Sequence, residues 1–498
     1  MQNASSPSLA ARAVLAVVLL VGFYLLALAV AAGLLWIPYA EWRYLDHVSV
    51  KIALFCVVGA ALVLWGIVPR PDRFDPPGPR LAPDEHPRLF ALIREVAAAT
   101  GQAMPAEVYL VPDLNAWVAQ RGGVMGLGSR RVMGLGLPLL QTLSSRELRA
   151  VLAHEFGHYH GGDTALGPWI YKTRAAIGRT LQALAGHSTV LMKPFEWYGL
   201  GFLRITHAIS RRQEFVADAL AARVAGSDAM ISGLKAVHGA GNAFHPYWLT
   251  EYAPVLERGF RAPLTQGFAA FLASPEVVRG VRESLEAELA SPRSDPYDTH
   301  PPLRERIAAL AGLPAGAPGD GGARALDLLD DVERCERELV QWLLDGRAAS
   351  LQPLAWEDAA ERVWIPTWRE QAAENAKRLR GITPESVADQ ADPPTWAPLR
   401  MGFAASPSLL TDEHRSAAAG ILGCALLTAF HAAGAPIQAP VGAPVTVEVD
   451  GTVVRPFQLL RDLAAGTVTR DAWREVCRRS GIAGVDLGSP VPAPAAAV

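Results

Sequence analysis

Residues 151–162 read Val-Leu-Ala-His-Glu-Phe-Gly-His-Tyr-His-Gly-Gly, and the rest of the chain takes its meaning from this stretch. On a helix, positions i and i+4 lie one above the other, so His154 and His158 present their imidazoles from one face with Glu155 beside them. That is the pattern of a hydrolytic zinc site, with two nitrogen ligands and a carboxylate placed to move a proton. Just upstream, Ser144 and Glu147 make a capping box, and Leu148, Val151, Leu152 and Phe156 supply a buried stripe at helical spacing. Gly161 and Gly162 end the predicted helix.

A catalytic zinc takes three protein ligands and keeps one position open, so two histidines need a third partner. The stretch 210–225, SRRQEFVADALAARVA, predicts a helix on which Glu214 and Asp218 share a face, with Ala217, Ala221 and Ala222 small enough to let another helix come close. Glu214 is the best candidate for the third ligand. Asp218 is spaced to accept a hydrogen bond from the non-ligating nitrogen of a zinc-bound histidine, and Asp163 to do the same for the other. In such a site zinc brings the pKa of its water from about 15.7 towards 7, and Glu155 takes the proton and later returns it to the leaving amine. The developing oxyanion needs a donor. His300 and Arg306 stand on a segment whose helix is opened by Pro301 and Pro302. On the residues alone, a capping histidine and a surface arginine are the favoured readings of that pair.

Outward from this core, residues 13–40 and 52–69 hold no charged side chain, and both runs match the roughly 20 residues that a helix needs to cross a bilayer. They predict a transmembrane hairpin over residues 1–70, with spans about 13–38 and 52–69 and interfacial Trp36, Tyr39, Trp42 and Tyr44. A cleaved signal peptide is disfavoured, because the first run is about twice the length of a signal core. Arg12, Arg70, Arg73, Arg80 and Arg88 flank the two ends, against Arg43 and Lys51 between the spans, which puts both ends in the cytoplasm. Residues 71–84 are proline-rich and read as a stiff linker leaving the bilayer.

A catalytic domain is expected over 85–312. It begins with an amphipathic helix at 85–100, followed by strands at 107–111 and 114–120, and a pentapeptide Val-Met-Gly-Leu-Gly that occurs at 124–128 and again at 132–136 and reads as a glycine-rich hairpin. The region 163–206 is apolar in parts but interrupted by Lys172, Arg174, Arg179, Lys193, Glu196 and Arg204. It reads as a helical hairpin packed on the catalytic core or lying at the membrane surface. Residues 325–488 form an accessory region, mostly helical with a strand hairpin at 445–454. Its uncharged stretch 417–434 is read with Ser416 as a buried helix in preference to a third span, and 489–498 as a disordered Pro- and Ala-rich tail. A net charge of −3 with no long basic run excludes nucleic acid as an expected partner. The four cysteines are far apart and make no CxxC pair, which disfavours a cysteine zinc cluster and a disulfide framework alike.

Together, HEFGH at 154–158, Glu214-x-x-x-Asp218, Asn115-Ala116-Trp117 and His300-Pro-Pro-Leu-x-x-Arg306 resemble the membrane zinc metallopeptidases of the HtpX and CAAX-processing type, gluzincins of metallopeptidase family forty-eight. The resemblance covers roughly 89–310. It implies one zinc per chain held by His154, His158 and Glu214, with Glu155 as catalytic acid and base and His300 and Arg306 as transition-state contacts. It also implies that Asn115 and Ala116 lie on an edge strand whose backbone pairs with an extended substrate. The fold it implies is mainly α with a small antiparallel β-sheet, an α+β zincin-like core carried by the membrane hairpin and followed by the α-rich accessory region. Compared with HtpX-type proteins, the chain reads as lacking further membrane helices between the motif and the third ligand. It cannot build the many-helix chamber of the CAAX proteases, so prenyl-peptide processing is not expected. The expected protein is a membrane-anchored zinc endopeptidase of the bacterial inner membrane, its catalytic domain facing the cytoplasm. It would cut unstructured or membrane-proximal polypeptides in quality control. The alternatives are a processing peptidase for one specific partner and a catalytically silent membrane scaffold.

Overall fold

Both charge-free runs fold as helices, α1 (Leu9–Leu45) and α2 (Val50–Ile67), packed side by side. Outward side chains such as Leu25, Leu54 and Trp65 stay more than 60% exposed, a surface that hydrocarbon solvates and water does not. The computed structural model describes residues 9–68, 74–123, 128–159, 167–291, 300–316, 323–345, 347–389 and 393–489. The chain divides into two compact units, Met1–Asn242 with Arg282–Gly346, and Ala243–Val281 with Arg347–Val498.

In the first unit, a short strand β1 (Arg80–Leu81) precedes helix α3 (Pro87–Thr100), which buries Leu89, Leu92, Ile93 and Val96. Gly101 ends α3 at φ +66°, a left-handed conformation that glycine adopts without strain. Strands β2 (Glu107–Val111), β3 (Ala116–Arg121) and β4 (Arg130–Gly136) complete a four-stranded sheet in the order β1-β2-β4-β3. This sheet is mixed, where a purely antiparallel one was expected: β2 and β4 run parallel, and β3 forms a hairpin with β4. The second Val-Met-Gly-Leu-Gly is strand β4 itself, while 124–127 of the first copy lie outside the described residues. Its glycines are steric requirements. A Cβ on Gly134 would fall 2.4 Å from the Trp117 ring, and one on Gly136 would fall 2.0 Å from Asp113 O.

Helix α4 (Leu137–Thr142) leads into the motif helix α5 (Ser145–Gly157), whose Ser144–Glu147 capping box is fully formed. Next come α6 (Gly167–Ala185) and α7 (Thr189–Ala225). The structure corrects the reading of this region. Rather than packing on the catalytic core, α6 and the first half of α7 join the membrane hairpin, with Ala176, Ile177, Leu184, Phe195 and Phe202 in one apolar cluster with Phe23, Ala27, Leu34, Cys56, Ala60 and Val63. Tyr198 donates to Leu19 O, and His187 Nε2 lies 3.2 Å from Phe55 O. Gly66 lets Thr180 close in, since a Cβ there would fall 2.9 Å from Thr180 Cα. Helices between the motif and Glu214 therefore do pack on the spans. Hydropathy hides them because Lys193 and Glu196 pair with each other on the outer face and Arg179 donates to Gly66 O. Past this bundle, α7 continues unbroken to Ala225 and crosses α5, and α8 (Leu303–Leu310) packs on α7.

The second unit has its own core, built around the helices Ile365–Glu374 and Asp412–Ala432 and a small three-stranded sheet. The helix Asp412–Ala432 is long and apolar enough to cross a membrane, as are α1 and α2. It buries Leu422, Leu426, Leu427 and Phe430 inside this unit. Gly442 is held at both ends: its N–H donates to Glu251 (3.1 Å) and its carbonyl accepts from Ser274 Oγ (2.7 Å).

Candidate metal centre

The crossing of α5 and α7 makes the site, and one glycine permits it. A Cβ on Gly157 would fall 2.8 Å from Ala217 Cα, so the residue just before His158 has to be this small for the helices to touch. At that contact distance Glu214 faces both histidines. His154 Nε2 lies 3.5 Å from Glu214 Oε2, and His158 Nε2 lies 3.6 Å from Glu214 Oε1. The two rings stand edge to face with centroids 4.8 Å apart. One nitrogen from each and a Glu155 oxygen lie within 4.8 Å of one another.

Around this trio the polar contacts are dense and buried. Asp218, one turn beyond Glu214, has Oδ1 at 2.9 Å from His154 Nδ1, bent out of line with the ring. It also receives a bidentate pair from Arg306, Nε to Oδ2 at 2.8 Å and Nη2 to Oδ1 at 2.6 Å. Arg306 Nη1 reaches to 3.4 Å from Glu214 Oε2, and His300 Nδ1 to 3.1 Å from the same oxygen. Arg306 is only 5% exposed, with its nitrogens turned to the carboxylates, whereas the His300 side chain is 58% exposed. Asn115 stands just before β3, its carbonyl accepting from Gly136 N–H at 2.8 Å, and Ala116 begins the strand. Asp163 lies outside the described residues.

Protonation follows from these neighbours. Burial would raise the Glu214 carboxyl, but contacts from His154 and His300 hold it far below the usual carboxylate range. Burial would lower His154, yet the Asp218 and Glu214 carboxylates beside it outweigh that and raise it to about 9. His158 lacks an equal partner, so burial and the His154 charge lower it to about 4. Burial pushes Glu155 up to about 7. The carboxylates thus draw positive charge into the pocket.

These residues fit a metal ion on a structural test. Glu214 Oε2 is buried with three nitrogens within 3.5 Å, and none is aligned to hydrogen-bond it. Such an oxygen is costly to bury unless a cation meets it. Two imidazoles and one carboxylate are, moreover, a donor set that zinc accepts. Two residues escape the sequence reading. Gly157 is one, although a small residue inside the motif was the signal for a close helix crossing. The other is Tyr159, whose hydroxyl donates to Val118 O at 2.8 Å across a separation of 41 residues that no local pattern marks.

Comparison with known proteins agrees with this geometry. Residues 83–313 match the model of peptidase family M48. Protease HtpX of Hahella chejuensis is 28% identical over 243 residues, covering 45% of this chain and 71% of that protein. Protease HtpX of Erwinia tasmaniensis is 29% identical over 249 residues, with the same coverage. The Protease HtpX homolog of Pyrobaculum calidifontis is 26% identical over 245 residues, 46% of this chain and 68% of that protein. No solved structure matches the chain.

Proposed function

We propose that the chain, which is similar to the HtpX-type M48 metallopeptidases over residues 83–313, is a membrane metalloprotease, a zinc-dependent endopeptidase cutting unstructured or membrane-proximal polypeptides in protein quality control. The convergence of His154, His158 and Glu214 around a buried carboxylate oxygen with no aligned donor carries this reading. In it, the three residues hold one zinc. When bound, zinc supplies Lewis acidity and lowers the pKa of a water towards about 7.

The chain's own residues do the rest. Glu155, raised to about 7 by burial, is matched to accept a proton near neutral pH and to give it to the leaving amine. Asp218 fixes the orientation of His154 from behind, and Arg306 holds Asp218 and Glu214 in place, so both act through the ligands. His300, open to solvent beside Glu214, is the donor available to a carbonyl oxygen that gains negative charge. Ala116 offers its outer backbone to an extended substrate. The excess of Arg12, Arg70, Arg73, Arg80 and Arg88 over Arg43 and Lys51 supports a catalytic side that faces the cytoplasm, in the reading of a bacterial inner-membrane protein. A reporter fused at Pro71 that reads external would reverse this.

Casein cleavage by the detergent-solubilised chain tests the enzyme reading. Cleavage is expected to stop on chelation and to return with added zinc. Chelator-insensitive cleavage would overturn the metal assignment.

A further inference from the structure

The outer edge of β3 carries a contact that this chemistry does not use. Asn115 O pairs with Gly136 N–H, and the register runs without a bulge from Ala116↔Leu135 to Arg121↔Arg130. Backbone groups alternate in an antiparallel pair, so those of Ala116, Val118 and Gln120 point away from β4. On that side β3 pairs with no other strand among the described residues. A polypeptide laid along the edge meets a carbonyl acceptor at every second residue, about 7 Å apart. The second acceptor is already filled, because Tyr159 Oη donates to Val118 O at 2.8 Å.

Tyr159 directly follows His158, and it is fixed on several sides. The Arg131 guanidinium lies 4.5 Å from its ring centroid, and its carbonyl accepts from Gln102 Nε2 at 3.2 Å. Arg131 is held in turn by Gln102 Oε1 at 3.4 Å and Ala103 O at 3.0 Å. The phenol therefore occupies both the acceptor and the space that an added strand needs beside Val118.

From this geometry we infer that Tyr159 is a specificity-determining residue that ends the substrate's backbone pairing on β3 at Ala116. The inference rests on the metallopeptidase reading above. The protease then grips a single residue's worth of extended backbone on this strand, and polypeptide that continues as a long β-segment gains nothing from it. Brief extended stretches of an unstructured chain suffice.

The test uses the full chain in detergent, loaded with zinc, in a Glu155→Gln background so that binding is read without turnover. Fluorescein-labelled peptides lengthened two residues at a time from either end are titrated by anisotropy, and the readout is the affinity ratio of longest to shortest. With Tyr159 present the ratio stays flat. Adding Tyr159→Phe, which keeps the ring on Arg131 and removes the hydroxyl, is expected to raise it about three- to tenfold for lengthening at one end only. Tyr159→Ala, which also clears the ring, raises it at least as far. An equal gain with Tyr159 in place, or a flat series in both variants, overturns the inference. If the wild-type chain, with Glu155 intact, cuts casein while the series is flat, the Tyr159 assignment alone falls. If the wild-type chain leaves casein uncut and no peptide binds, the metallopeptidase reading falls with it.

Discussion

Two glutamates withdrawn from water behave in opposite ways. Glu214 on α7 is ringed by His154, His158, His300 and Arg306, and its carboxyl is held far below the ordinary range despite burial. Glu251 in the second unit has the Gly442 N–H as its partner, and burial pushes it up to about 7. Burial alone favours the neutral acid, and cationic neighbours reverse it. The first site is thus prepared to hold charge, while the second is a structural clasp whose carboxyl gains its proton as pH falls through about 7. A buried acid is evidence of a metal centre only when its surroundings supply positive charge that its own hydrogen bonds do not absorb.

The sharpest break in this contrast is Glu214→Ala. It should abolish zinc retention and reduce peptide hydrolysis by at least about 10³-fold, with metal content measured beside activity. Full zinc occupancy in the variant would move the third ligand elsewhere. Asp218→Asn keeps the shape and removes the charge behind His154, and a loss of about 10- to 100-fold in metal affinity is expected in competition with a chelator. Unchanged affinity would mean that Asp218 serves packing alone.

Gly157→Ala challenges the helix contact that brings Glu214 to the histidines. Its Cβ would fall 2.8 Å from Ala217 Cα, and the expected cost is about 1–3 kcal/mol of stability, read by thermal melting, together with weaker zinc binding. A variant that melts and binds like wild type would show that α5 and α7 have slack at this crossing.

Glu251 gives the smallest effect and the opposite sign with pH. A carboxyl raised from 4.5 to about 7 in the folded chain stabilises it fully below its unfolded pKa, and that contribution is lost as pH rises through about 7. Discounted for partial exposure, the loss is about 1–2 kcal/mol. Glu251→Gln should flatten the melting temperature between about pH 5 and 8, and an unchanged slope would remove Glu251 from the account.

What the sequence reveals follows the range of the physics. The spans α1 and α2 are legible because lipid demands long charge-free runs, and the cap, the HEFGH helix and the Glu214–Asp218 face are legible because each is a matter of three or four residues. The bundle role of α6 and α7 is not, since charges on one face of a helix erase the hydropathy of the face that packs. Contacts such as Tyr159 with Val118, or Gly442 with Glu251 across 191 residues, arise from tertiary folding and leave no local trace. The mixed sheet belongs with them, because strand order is set by a crossover that periodicity does not encode.

The central claim is that Glu155 moves protons at a zinc which His154, His158 and Glu214 hold. Zinc content and casein cleavage, measured side by side for wild type and Glu155→Gln, test it most directly. About one zinc per chain in both proteins, with cleavage in the wild type alone, is the predicted result. Zinc-free wild type, or equal cleavage by the variant, would contradict it.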